Sequence, residues 1–154
     1  MEALYYNIAK HFKEVYFGGN WTTVNLKDTL KDVVWKEALR KIADLNTIAA
    51  LTYHINYYVS EVSKVLQGAK LEASDQVSFD LPPINNEQDW IQLVEKVLSD
   101  GEKFVNLIEK IEVEAISTDF TDPKYGSYYR NLHGIIEHTY YHLGQITIIK
   151  KILR

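Results

Sequence analysis

The chain has 154 residues, 46% hydrophobic and 25% charged, with a formal net charge of −4, the balance of a globular chain of ordinary domain size. It contains no cysteine, which excludes disulfides, a protein thiol nucleophile and a cysteine-based zinc site. The acidic balance and the lack of a basic stripe point away from nucleic acid, and no apolar run approaches the ~18 residues a membrane span needs.

The opening "MEALYYNIAKHFKEVYF" carries charges throughout and has no apolar block followed by small residues, so no signal peptide is read there. With the lack of cysteine, which suits a reducing compartment, this sets a cytoplasmic location as the expectation. Leu4, Ile8, Phe12 and Val15 form a helical stripe, which predicts a first helix over 2–17, stopped by the glycines of "GGN" at 18–20. Asn25 with Asp28 reads as a capping signal for a short helical connector, and Trp35 to Ile42 as another helical turn or two.

A second long helix is predicted from an Asn46 cap to Leu66, with Ile48, Leu51, Thr52, Ile55, Val59, Val62 and Leu66 on its stripe. Residues 68–86 hold a glycine and a Pro-Pro pair and read as a crossing loop; within it "QVSFDL" alternates but is short. The third long helix is predicted over 87–110, with Gly101 as a tolerated defect costing ~1 kcal/mol relative to alanine. A polar loop at 117–127 follows, and Ser127 caps a last helix over 128–153. The basic end "IKKILR" reads as cations on a final helical turn, where the dipole favours them. Four long helices with connections of these lengths predict an all-α four-helix bundle with long crossover loops.

The last helix holds three of the five histidines, and two of them, His138 and His142, stand four positions apart. Its apolar arc is Leu132, Ile135, Ile136, Thr139, Leu143, Ile146 and Leu153; His142 falls inside one edge of that arc and His138 just outside the same edge. Such a pair is separated by ~6 Å of helical rise and points the same way, so each ring can give one nitrogen to a single ion. His133 faces another side. His54 flanks the arc of the second long helix with the same offset, which makes it the natural third ligand, while His11 is a weaker one. The spacing fits equally two core-edge histidines bonded to tyrosines or carbonyls, and pattern alone leaves both readings open.

A histidine in the second long helix, followed far downstream by H-x-x-x-H-x-G-Q in the last, resembles the DinB-like superfamily. Here those elements are His54 and "EHTYYHLGQI", with His138, His142, Gly144 and Gln145. The resemblance extends over residues 1–154 as one domain and implies an up-down-down-up four-helix bundle, often dimeric. It implies a divalent metal, commonly zinc or nickel, on His54, His138 and His142. Relatives with known activity include metal-dependent thiol transferases that use bacillithiol or mycothiol and a thiol-dependent maleylpyruvate isomerase.

Three neutral imidazoles leave a tetrahedral ion with at least one open position, the arrangement of a catalytic site. Without cysteine in the chain, any sulfur must come from a low-molecular-weight thiol cosubstrate. The resemblance therefore implies a metal-dependent transferase of such a thiol onto a small electrophile. A metal-dependent hydrolase needs only the same site, and a non-catalytic, stress-related dimeric binding module is the reading from another class. No general acid or base is evident by pattern. Tyr58 and Glu61 share the His54 flank and are pocket candidates, or ordinary packing residues; Gln145 is a candidate to orient a histidine or ligand, or a bond within the bundle. Tyr141, Ile148 and Ile152 form a second apolar face on the last helix, which sets a homodimer through the first or last helix as the expectation. Coordination requires neutral rings, so metal occupancy is expected to fall as pH drops through the ~6.5 region.

Overall fold

The computed structural model describes residues 4–154, and all of its regular structure is helical. Its helices are α1 (Leu4–Phe17), α2 (Leu26–Leu30), α3 (Trp35–Ala38), α4 (Ile48–Leu66), α5 (Glu87–Ile108) and α6 (Tyr128–Leu153). Short 3-10 turns at Val113–Ser117 and Pro123–Tyr125 punctuate the connection before α6. Residues 2 and 3 of the predicted first helix lie outside the described residues. The alternating "QVSFDL" forms no strand, and one isolated bridge joins Asp119 to Ser127.

Side-chain caps set the helix starts. Asn25, Thr47, Asn86 and Ser127 each accept a backbone N–H from the first turn of the following helix. The second long helix therefore starts one residue later than the Asn46 cap implied. Thr47 takes the capping position because its hydroxyl accepts from the N–H of Ala50 at 3.1 Å. The connector helix α3 ends at Ala38, short of the predicted Ile42.

The long helices α1 and α4 both pack against α5 and α6. Their stripes meet in a core that includes Phe12, Tyr16, Ile55, Phe104, Leu132 and Ile146, all fully buried. Phe12 packs against Tyr16 at 4.5 Å and meets the edge of Phe104 at 4.7 Å between ring centres. Contacts of this kind add about 0.5–1.5 kcal/mol to the burial of the rings themselves. Trp90 is buried on α5 and donates its indole N–H to the Val33 carbonyl at 2.7 Å, which ties the α2–α3 connector to the core.

Gly101 is no defect. A Cβ at this position would stand 2.5 Å from Cδ1 and 2.6 Å from Cε1 of the buried Tyr16 ring. The absent side chain is what lets α1 and α5 close on each other here, a contact that helix periodicity does not reveal.

The basic C-terminus also does more than complement a helix dipole. Lys150 donates to the Thr29 carbonyl at 2.7 Å and to the Asp32 carboxylate, while Arg154 reaches Asp32 at 2.6 Å and Glu37 at 2.8 Å. The Lys150 ammonium and the Arg154 guanidinium hold the Asp32 carboxyl well below the usual carboxylate range. These exposed pairs fasten the connector over the end of α6; surface pairs contribute little each, and their number and geometry matter more.

Candidate metal centre

The packing of α4 on α6 decides the site. His54 projects from the middle of α4, and His138 and His142 from adjacent turns of α6. The ring centres lie 4.8 Å apart for His54 and His138, 4.7 Å for His54 and His142, and 4.4 Å for the α6 pair. One nitrogen from each ring falls within 4.8 Å of the other two. His54 and His142 are buried and His138 half-buried.

Hydrogen bonds identify the inward nitrogens. His54 Nδ1–H donates to the Ser78 carbonyl at 3.3 Å, and His142 Nδ1–H donates to Gln145 Oε1 at 2.7 Å. Both partners are acceptors, so the proton sits on Nδ1 and the Nε2 lone pair of each ring is free. His54 Nε2 faces His138 Nε2 at 3.0 Å. Two bare lone pairs at that distance repel, so a proton or a cation must lie between them. His138 Nδ1 is buried without a partner among the described residues, and its own hydrogen bonds therefore do not fix a tautomer.

The electrostatics suit a cation. Burial, then the neighbouring His142 and His54 rings, pull His138 down to about 3. His54 is lowered by burial and by His142, against the opposing pull of the Ser78 carbonyl. His142 is lowered by burial, against its bond to Gln145. All three rings are neutral near pH 7, the protonation state that a metal ligand requires. The donor set thus fits a divalent ion of intermediate softness.

The remaining sequence candidates divide. Tyr58 lies at the site: its ring meets His54 edge-on at 5.2 Å and His138 at 4.9 Å, and its hydroxyl donates to the Asp75 carboxylate. Burial and the Asp75 bond push the Tyr58 hydroxyl up to about 12. Gln145 holds His142 directly. Glu61 stays outside the cluster; it is buried on α4 and accepts from Lys64, one turn on, at 2.5 Å. His11 is exposed beside Tyr140, and His133 packs on Tyr129, so neither joins the cluster.

Three residues of the 68–86 loop belong to the site without having been foreseen. Phe79 stacks flat on His54, 3.8 Å between centres and 8° between planes. Ser78 supplies the carbonyl that orients the same ring, and Asp75 takes the Tyr58 hydroxyl. A loop has no period to read, so only its mixed acidic and aromatic content, "SDQVSFD", hinted at a role. A cavity of about 520 Å³ opens onto the cluster, lined among others by Tyr58, Asp75, Phe120, Arg130, Gly134 and His138.

Fold and site together define an all-α protein with a three-histidine cluster able to hold a divalent ion. No family model matches the chain, and no curated protein or solved structure matches it. No helix of the described residues is long and apolar enough to cross a membrane.

Proposed function

We propose that this protein is a divalent-metal enzyme of the DinB-like type that transfers a low-molecular-weight thiol onto a small electrophile. The observation that carries the reading is the meeting of His54 with the His138–His142 pair, with the Nε2 atoms of His54 and His142 turned inward by Ser78 and Gln145. On this reading the four long helices form an up-down-down-up bundle as one domain over 1–154. Zinc or nickel is the ion, and the protein works as a cytoplasmic homodimer.

A divalent ion in this cluster supplies Lewis acidity, which lowers the pKa of a thiol bound at its open side. The chain supplies the rest. Ser78 and Phe79 fix the His54 ring, Gln145 fixes His142, and Tyr58 with Asp75 forms a polar edge beside His138 where the electrophile can be oriented. Because the chain holds no cysteine, the sulfur is a cosubstrate's.

The test has two parts. Elemental analysis of protein purified without a histidine tag should find about one divalent ion per chain, lost in His54→Ala, His138→Ala and His142→Ala. Turnover of an electrophile such as a chlorodinitrobenzene by the zinc- or nickel-loaded protein with a small thiol should vanish in His142→Ala. Metal bound stoichiometrically without turnover, across a panel of thiols, would overturn the transferase reading.

A further inference from the structure

The cavity beside the histidines extends along α6 away from His138, and its far end holds a cation. Arg130, Gly134 and His138 stand at i, i+4 and i+8 on α6, so they share one face and line the same 520 Å³ space. At 1.5 Å of rise per residue, the helix carries Arg130 roughly 12 Å from His138. Arg130 makes no ion pair among the described residues. Its side chain is exposed and its stem lies over Gly126, where a Cβ would come within 2.8 Å of the Arg130 Cδ.

Two acids, Asp75 and Glu137, also line the cavity, and both belong to its histidine end. Glu137 precedes His138 in α6, and Asp75 is bonded to Tyr58, whose ring abuts His138. A divalent ion held by the three histidines would offset them there. Arg130 is the one lysine or arginine of the lining.

Between the two ends lies a glycine that packing does not explain. Glycine inside a helix weakens it through backbone entropy. At Gly134 nothing stands within 4 Å of the point a Cβ would occupy, so no neighbour in the chain requires its absence. What the missing side chain creates is a bare floor between Arg130 and His138, walled by Val62, Leu71 and Ile135.

We propose that this cavity takes a small organic carboxylate in extended form. Its carboxylate lies on the Arg130 guanidinium, its apolar middle over Gly134, and a donor atom at its other end on the ion held by the three histidines. A planar guanidinium free of other acids matches a carboxylate through paired N–H donors. The inference rests on the metal reading above and assigns a substrate class to that site.

The test is calorimetric titration of the zinc-loaded protein with ω-mercaptocarboxylic acids of increasing chain length and with the primary amides of the same compounds. The acids should bind about tenfold more tightly than the amides, the worth of one charge-assisted hydrogen bond. Affinity should peak at one chain length within the series and fall on either side of it. Arg130→Gln should erase the preference for acid. Gly134→Leu, which adds a good helix former, should bind zinc normally and lose both series. Equal affinity for acid and amide, or a preference that survives Arg130→Gln, overturns the inference and leaves the metal site standing. If zinc itself does not bind, the metal reading fails. Simple alkyl carboxylates against their amides on the ion-free protein then decide the subsite: an acid preference removed by Arg130→Gln upholds it, and no preference overturns it.

Discussion

Gln145 Oε1 receives the Nδ1–H of His142 at 2.7 Å, one turn further along the same helix. The bond aims the Nε2 of His142 at His54 and His138, and Gln145 makes it without entering the cluster itself. Partners of this kind are worth about 10–100-fold in metal affinity. Gln145→Leu should lower zinc affinity by that factor in a competition with a chromogenic chelator. Gln145→Glu, which keeps an acceptor, should retain affinity. Identical affinities for all three proteins would remove Gln145 from the site.

Acid should release the metal, later than free imidazole would suggest. All three rings titrate below their ordinary ~6.5, and His138 is carried down to about 3 by burial and its two histidine neighbours. Between the lowered values and ~6.5 the unfolded chain binds more protons than the folded one. Stability of the ion-free protein therefore rises with pH across that window and levels off above it. Metal occupancy follows the same direction, since protons and the ion compete for the same nitrogens. Dialysis at stepped pH followed by elemental analysis reads the release. Full occupancy retained in strong acid, at about pH 2, would rule out imidazole ligation.

Gly101→Ala should destabilise the fold by about 1–3 kcal/mol, because the new methyl would fall inside the Tyr16 ring and α1 would have to move off α5. A shifted urea midpoint measures the loss. In a Tyr16→Leu background the same substitution should cost far less, since the obstructing ring is gone. A cost unchanged by the partner substitution would place the strain elsewhere.

The homodimer expected from the second apolar face of α6 has a definite surface to test. Tyr141, Ile148 and Ile152 are 65%, 59% and 57% exposed, a large apolar load for one side of a helix. Sedimentation should find a dimer, and Tyr141→Lys with Ile148→Lys should convert it to a monomer that still binds metal. A monomeric wild-type protein at high concentration would end the proposal.

Much of this architecture could be read in advance from local pattern. Apolar spacing located α1, α4, α5 and α6 to within a few residues, and Ser127 announced the start of α6. What local pattern left out came from contacts it does not encode. Gly101 looked like a flaw because the ring that requires it lies on another helix. Glu61, on the His54 face, is paired with Lys64 one turn along the same helix. Asp75, Ser78 and Phe79 were passed over because loops carry no period, although they hold Tyr58 and His54 in place.

By itself the sequence determined an all-helical chain, free of cysteine, with two histidines on one face of its last helix. Those properties are local: helical rotation and residue chemistry settle them within a few turns. Tertiary structure alone decided that His54, 84 positions from His138, brings its Nε2 to 3.0 Å, and that the 68–86 loop seats Phe79 and the Ser78 carbonyl on the His54 ring. Contact across such a separation depends on how α4 seats against α6, and that register is set by the whole core rather than by any window of residues.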